Sequence, residues 1–574
     1  MLDLLIDLYG EADGRATWAR LQRLLDRYRP RLRGRSQPGA RPRSLGLSER
    51  DAILITYGDQ VVESGVAPLH TLAGLAARYL DGAISTIHIL PFYPYSSDDG
   101  FSVIDYTAVD PALGTWDDVA RLGERFRLMF DAVLNHASVK SEWFRAFLRG
   151  EPRYRDHFIA VAQGSDLSQV VRPRALPLLT RFEAASGERW IWTTFSADQA
   201  DLNYRQPQVL LDMVEVLLFY VERGASLIRL DAIPYLWKEI GTPCIHLPQT
   251  HTVVRLLRAV LDDVAPHVLL VAEANVPHAE NVSYFGDGTS EAQLVYNFAL
   301  PPLLLHTLQT GSAAALTQWA AGLALPSDRV AWLNFAASHD GIGLMPAQGI
   351  LSDAEIEALI AHAVAHGGLV SYRRHAGGRE SPYELNINYF DALADPQGTL
   401  PLGVQVDRFI VSQAIMLALA GVPGIYFHSL FGSRGWPEGV RLTGRPRTIN
   451  RQKLALAALE RELVDPASLR HQVFARYRAL LAARTACRAF HPLGAQRVLR
   501  LGDAVFALLR TAPDGGESAL CLHNISGQPV QLALDRRALG LGAYATDLLT
   551  GERVAMGEPA IASLAPYEVR WLRI

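Results

Sequence analysis

The chain has 574 residues, 49% of them apolar and 20% charged, which is enough for a large buried core under an ordinary polar surface. A formal net charge of −4 gives no basic footprint for nucleic acid or an anionic membrane. The cysteines Cys244, Cys487 and Cys521 lie far apart in no metal-ligand spacing, which argues against a disulfide framework, and no stretch of about 18 apolar residues offers a membrane span; the chain reads as a soluble, cytoplasmic protein.

Residues 1–48 read as a helical extension, with Trp18, Leu21, Leu25 and Tyr28 on one stripe. The start, "MLDLLIDLYGEADG", is interrupted by Asp3 and Asp7 and has no basic n-region, unlike a signal peptide. The arginines of "RPRLRGRSQPGARPRS", from Arg29, read as a Pro/Gly/Ser-rich link rather than a phosphate-binding patch.

From Ala52 onward, short apolar runs rich in β-branched residues recur. In order they are "AILITYG" (Ala52), "STIHIL" (Ser85), "LMFDAVLNH" (Leu128), "SLIRLDA" (Ser226), "VLLVAEA" (Val268), "LVYNFAL" (Leu294), "VAWLNFAASHD" (Val330) and "VPGIYFHS" (Val422). Amphipathic segments of helical period, such as "LHTLAGLAARYL" from Leu69, lie between most of them. Near-continuous apolar strands separated by helices predict a parallel sheet covered on both faces. Eight of them predict an α/β fold, a (β/α)8 TIM barrel over residues 49–136 and 206–490. Residues 137–205 carry no barrel strand and read as a domain B inserted after the third strand. Residues 491–574 alternate with period two, as in "VFALLRT" and "SALCLHN", and predict a C-terminal antiparallel β domain.

The charges inside these runs need a reason. In such a barrel the C-terminal strand ends open onto the active site. Asp231 falls where its strand ends, and Arg229, two residues earlier, points to the same side. Asp131 and His136, Glu273, and His339 with Asp340 fall at other strand ends. Taken singly, each is ordinarily a solvated carboxylate or a structural ion pair. Carboxylates at several strand ends, with histidines beside them, point instead to a catalytic cluster.

These motifs, in this order, resemble regions I to IV of the α-amylase family, glycoside hydrolase family 13. The resemblance implies Asp231 as nucleophile, Glu273 as general acid/base and Asp340 as transition-state stabiliser. It also implies that Arg229 holds the nucleophile while His136 and His339 contact the glucosyl unit. Retaining chemistry asks for two carboxyl groups roughly 5 Å apart. Arg229 is expected to keep Asp231 ionised, and the apolar setting of Glu273 to raise its pKa.

"ILPFYPYSSDDGFSVIDYTAVDPALGTWDD", from Ile89, resembles the sucrose phosphorylase subgroup of that family. By that resemblance Asp98 and Phe101 help close a pocket around one glucose, Arg451 in "TINR" binds it, and Tyr235 is an aromatic residue beside the nucleophile. The chain departs from sucrose phosphorylases at Asn275, where they have histidine, and at Glu384, where they have glutamine. It also departs at Ile245 and His246, where they have bulkier apolar residues, and in its longer N-terminus. These departures resemble the glucosylglycerate phosphorylase branch. Sucrose 6′-phosphate and glucosylglycerol phosphorylases are near relatives of that branch.

Glycerate and phosphate both need cationic partners. The loop "SYRRHAGGRE", with Arg373, Arg374, His375 and Arg379, is a candidate, as is His246; a solvated basic loop is the equal alternative. Glu384 would repel both anions unless one of those arginines pairs with it. The resemblance implies no cofactor, phosphate being a co-substrate, and no metal. Asn135 is a calcium ligand in many amylases, but the subgroup works without calcium, and His246, His251 and His278 show no metal-ligand spacing. The expected partners are a small α-glucoside and phosphate, with a monomer or homodimer. Other readings are a sucrose-type phosphorylase, a hydrolase or transglucosidase with the same trio, and a sugar-binding barrel that has lost catalysis.

Overall fold

The computed structural model describes residues 1–32, 45–374, 379–557 and 560–574. Eight parallel strands close into a barrel in which every strand is bonded to its neighbours in chain order. They are β1 (Ile53–Thr56), β2 (Thr86–Ile89), β3 (Arg127–Ala132), β4 (Ala225–Leu230), β5 (Leu269–Ala272), β6 (Leu294–Tyr296), β7 (Ala331–Phe335) and β8 (Val422–Tyr426). Each of the eight apolar runs seen in the sequence supplies one of them. β1, β2, β5, β6, β7 and β8 are buried along their whole length, because helices cover the outer face and side chains fill the inside. The expected (β/α)8 architecture is therefore present.

Register sets the height of the catalytic candidates. Arg229 pairs with Asp131 and Leu230 with Ala132 between β4 and β3, and Leu230 pairs with Ala272 between β4 and β5. Asp231 and Glu273 thus each stand one residue past a matched pair and leave adjacent strands at the same level.

The excursion after β3 is rooted by an antiparallel pair, His136–Ser138 with Gln199–Asp201. It carries a helix, Glu142–Arg149, whose N-terminus is capped by Ser141 and which stops at Gly150 in the left-handed region. A small sheet, Ala160–Val161, Gly187–Trp192 and Leu179–Ala184, completes it.

After β7 a ribbon forms from Ile342–Gly343, Glu380–Asn386 and Leu369–Arg374. The basic segment expected as a loop is therefore largely hairpin: Arg373 and Arg374 are strand residues paired with Ser381 and Glu380. His375 lies outside the described residues, as do residues 33–44 of the arginine-rich link.

At the C-terminus a six-stranded sheet runs Ala495–Leu499, Val505–Thr511, Ser518–Asn524, Val569–Arg573, Tyr544–Asp547 and Arg553–Ala555. At the N-terminus the helix Leu2–Leu32 is broken at Gly10, where φ is 79°. The break folds Gly14 onto the backbone of Ile6, so close that a Cβ there would sit 2.7 Å from Ile6 Cα. Leu21, Leu25 and Tyr28 of the predicted stripe are buried and Trp18 is partly so. Among the described residues no helix is long and apolar enough to cross a membrane, and the three cysteines are free and buried.

Candidate active site

A cavity at the C-terminal end of the barrel is lined by Asp231, Glu273 and Asp340 together with Asp98, Phe101, His136, Arg229, Tyr235 and His339. The structure thus brings the predicted trio and most of the predicted glucose-binding residues to one place. Arg451 stands just behind the wall. Its Nε donates to the carbonyl of His339 at 3.0 Å, Nη1 pairs with Asp99, and Nη2 lies 3.4 Å from Asp340 Oδ1.

Arg229 is the hub of the nucleophile side. It is buried, and its Nη1 donates both to Asp131 and, at 2.9 Å, to Asp231 Oδ1. Asp131 also takes His88 Nε2 at 2.8 Å. Arg229 and the His88 hydrogen bond outweigh the burial of Asp131 and hold its carboxyl down at about 2. Asp131 therefore anchors the arginine rather than facing substrate.

Arg229 pulls the pKa of Asp231 down, as expected, but it does not prevail. Burial raises it well above the ordinary carboxylate range, Arg229 opposes this, and Glu273, Asp131 and Asp340 raise it further. The physical reason is that one guanidinium is shared among three carboxylates. Burial also raises Glu273, as expected from its apolar strand. Two facing carboxyls that each resist charge hold one proton between them. The proton belongs on Glu273, because Asp231 takes the full charge-assisted bond while Glu273 lies 3.7 Å from Arg229 and accepts only the Ala232 N–H at 2.9 Å.

Asp340 is held well below the carboxylate range: burial would raise it, but Arg447, His339 and Arg451 overcome that. Asp98 is likewise lowered, against its burial, by Arg174, Arg451 and Arg447. Phe101 stacks on His339 with ring centroids 5.1 Å apart and planes 6° from parallel. His136 Nε2 lies 2.8 Å from the Phe101 carbonyl and 3.1 Å from Gln199 Nε2. Burial lowers the pKa of both histidines, His339 to about 3, so both are neutral near pH 7. The turn that presents Asp98 is strained: φ is 55° at Asp98 and 49° at Asp99. Gly100 follows because a Cβ there would meet the Pro91 carbonyl at 2.4 Å.

Asn275, the departure noted in sequence, lines the cavity, and its Oδ1 is buried against Gly343 with no hydrogen-bond partner among the described residues. Two expectations for the acceptor side are corrected. Glu384 is fully buried and takes a bidentate pair from Arg447, not from Arg373, Arg374 or Arg379, and it is not among the lining residues. His246 is not a lining residue either. Its Nδ1 lies 2.9 Å from the Tyr284 hydroxyl, and burial, aided by His251, pushes it down to about 4, so it is no cation near neutrality.

Nor do the hairpin arginines line the cavity. Arg373 Nε donates to Ser381 Oγ at 3.2 Å, and Arg374 and Arg379 are exposed. The cations that do line it, besides Arg229, are Arg174 and Arg447, which the sequence reading missed. Arg174 makes no ion pair with a described residue. Its "RPR" setting on the excursion carries no local signal, since that segment has no regular structure to place it.

Asn135 does not face an open cation site. Its Oδ1 accepts from Lys238 Nζ at 2.6 Å, and the same ammonium lies 2.5 Å from Asp201 Oδ2 and bonds the Tyr235 carbonyl. Among the described residues no cluster of His, Cys, Asp and Glu converges as a metal site.

Residues 71–325 match the family model for the α-amylase catalytic domain. The chain is 51% identical over its whole length to a glucosylglycerate phosphorylase of Spirochaeta thermophila, covering 98% of that protein. It is 42% identical to one of Escherichia coli, covering 100% of this chain and 99% of that one. Against a sucrose phosphorylase of Bifidobacterium adolescentis the identity is 30%, over 75% of this chain and 85% of the relative. In fold it is similar to the crystal structure of sucrose 6F-phosphate phosphorylase from Thermoanaerobacter thermosaccharolyticum, with a TM-score of 0.74 at 23% identity over 89% of this chain and 99% of that one. By the barrel, its strand-end carboxyls and these full-length likenesses, the chain belongs to the α-amylase family, glycoside hydrolase family 13, and within it to the group that holds these phosphorylases.

Proposed function

We propose that the protein is a retaining α-glucoside phosphorylase, a hexosyltransferase that cleaves glucosylglycerate with phosphate to give α-D-glucose 1-phosphate and glycerate. One observation carries the reading. The cavity that holds Asp231, Glu273 and Asp340 also presents Arg174, a guanidinium that no described carboxylate pairs with. A hydrolase, whose second substrate is water, has no need of such a charge; a phosphorylase of an acidic glucoside has two uses for it.

In the first half-reaction Asp231 attacks the anomeric carbon. Arg229 engages Oδ1, which leaves Oδ2 as the attacking atom. The bond from carbon to the glycerate oxygen breaks as Glu273 gives that oxygen its proton, and a β-glucosyl ester of Asp231 remains. Asp340, anionic because Arg447 and Arg451 hold it, faces the positive charge that develops on the sugar ring. Glycerate leaves and phosphate takes its place, so Arg174 serves first the carboxylate and then the phosphate. A phosphate oxygen attacks the anomeric carbon as that carbon's bond to Asp231 breaks and frees the carboxylate, the phosphate's proton returns to Glu273, and two inversions give net retention. Asp98, Phe101, His136, His339 and Arg451 hold the single glucosyl unit, and Tyr235 walls the acceptor side.

The test is to incubate the protein with glucosylglycerate with and without phosphate and follow α-glucose 1-phosphate. The expected result is phosphate-dependent product of retained configuration, with glycerate preferred over fructose, fructose 6-phosphate and glycerol in the synthetic direction. Glucose release at full rate without phosphate would instead make it a hydrolase, and preference for fructose or its phosphate a sucrose-type phosphorylase.

A further inference from the structure

On the cavity wall Arg447 spends its whole guanidinium on carboxylates. One edge, Nε and Nη2, donates to the two oxygens of Glu384 at 2.9 and 2.6 Å. The remaining nitrogen, Nη1, pairs with Asp340 Oδ1. Glu384 itself is fully buried, whereas Arg447 keeps 17% of its side chain exposed toward the cavity.

The backbone is shaped to admit this glutamate. Ile342–Gly343, which directly follows Asp340 and Gly341, pairs with Glu384–Leu385 of the ribbon. At Gly341 a Cβ would lie 2.6 Å from Glu384 Cγ and 2.4 Å from the Leu385 carbonyl. The chain leaving Asp340 thus has no side chain at the point where Glu384 passes. A neutral amide in its place would leave Arg447 sharing Asp340 with Arg451 and His339, which already lie 3.4 and 3.5 Å from it. The wall would then carry an uncompensated cation.

We propose that Glu384 is a specificity-determining positioning residue: by neutralising Arg447 it fixes that guanidinium on Asp340 and withdraws it from anion binding, so that phosphate and the acidic acceptor are left to Arg174. The inference rests on the phosphorylase reading. An arginine presents a planar fork that matches phosphate as well as it matches carboxylate. Two free guanidiniums in one enclosed cavity would hold phosphate, glucose 1-phosphate and glycerate tightly enough to slow their exchange. With Glu384 in place, Arg174, near Asp98 but in no ion pair with a described residue, is a lining guanidinium left for an anion.

The experiment measures inorganic phosphate binding by calorimetry on the intact protein, and the phosphate KM and kcat beside it. In Glu384→Gln, phosphate is expected to bind about three- to tenfold more tightly at low ionic strength, with kcat lowered by slower anion release. Glu384→Asp, which keeps the charge, is expected to stay within about twofold of wild type in phosphate affinity. The neutral double variant Glu384→Gln with Arg447→Gln is expected to bind phosphate within about twofold of wild type while losing turnover through Asp340. A merely structural glutamate would weaken every constant and tighten none.

Unchanged or weaker phosphate binding in Glu384→Gln overturns the inference. So does a tenfold loss of phosphate affinity in the double variant, which would make Arg447 itself a phosphate ligand; this arm stands even if the single variant does not fold. If wild type binds phosphate but forms no glucose 1-phosphate from any glucoside offered, the phosphorylase reading fails, and the binding measurements still decide the role of Glu384.

Discussion

The two halves of the cavity are built differently. On the catalytic floor, Asp131, Arg229, Asp231 and Glu273 sit on or one residue past adjacent barrel strands, with register fixed by parallel pairing. On the acceptor side, Arg174, Tyr383 and Arg447 come from the excursion after β3, the ribbon after β7 and a 3-10 turn, Pro446–Asn450, after β8. On the proposed function, the rigid half fixes the chemistry, and the half assembled from connections selects what enters. A substitution on the first should therefore strike the chemical step itself, and one on the second should change ratios between acceptors.

The largest expected effect is at Asp231. Asp231→Asn should lower turnover at least about a thousandfold on every donor, because the amide cannot form the glucosyl ester. It should also raise the thermal midpoint near pH 7. The folded pKa of Asp231 lies above its unfolded value, so its contribution to stability is present below the unfolded pKa and lost as pH rises through the folded one. The neutral variant carries no such loss.

Asp131→Asn should do the opposite to stability. Its folded pKa of about 2 lies below the ordinary value of 3.8, so it stabilises above that value and the gain is lost as pH falls toward 2. Linkage puts that gain at about 2 kcal/mol near neutrality. Paired melting curves at pH 7 and pH 4 check both signs, and a lower midpoint for Asp231→Asn at pH 7 would sink the argument about shared charge.

Next is Glu273. Glu273→Gln should cost about a hundred- to ten-thousandfold with glucosylglycerate but less than tenfold with α-glucosyl fluoride, whose leaving group needs little protonation. In wild type, kcat/KM should fall on the alkaline side as the proton on Glu273 is lost, at a pH above the ordinary carboxylate range because burial raises that group. The limb should vanish in the variant assayed with the fluoride.

The contrast between the halves also decides what could be read in advance. The eight strands were legible because each is a short apolar run of one period, and the trio was legible because its motifs, in order, resemble those of the α-amylase family, although Asp340 stands well past the end of β7 at Phe335. The acceptor wall was not. Glu384 looked like an acceptor-facing residue because its partner, Arg447, lies 63 positions away in sequence and only the fold brings them together. The segment at Arg373 and Arg374 looked like a mobile loop because its glycines and charges hide a strand pairing that spans a register shift between Ser371 and Tyr372. Arg174 gave no periodic signal at all.

Arg174 therefore gives a smaller but more discriminating prediction. A charge-assisted bond to a carboxylate or phosphate contributes about 1.5–3 kcal/mol, on the order of tenfold to a hundredfold. Arg174→Gln should raise the phosphate KM and weaken transfer to glycerate by that factor, while transfer to glycerol from the same glucosyl-enzyme changes less than threefold. Equal loss on glycerol and glycerate would place Arg174 with the structural residues of the excursion.

The smallest effect is expected at His246, and its size is the point. The sequence offered His246 as a cation for the acceptor, but the structure holds it partly buried beside Tyr284 and Glu280, with Nε2 3.1 Å from Glu280 Oε2. Its pKa of about 4, lowered by burial and by His251, leaves it neutral across the working range. His246→Gln keeps a neutral hydrogen-bonding side chain, so the ratio of transfer to glycerate over glycerol should move by less than about twofold at pH 7. The groups that face it argue the same way: His251 is itself held by Glu291 at 2.9 Å, and Glu280 offers His246 a carboxylate that an anion would have to displace. If the histidine did carry charge to the acceptor, the ratio would fall tenfold or more in the variant and, in wild type, would rise steeply below pH 6. A flat ratio from pH 6 to pH 8 in both proteins assigns the recognition of the acid to Arg174 and confines His246 to the packing behind the wall.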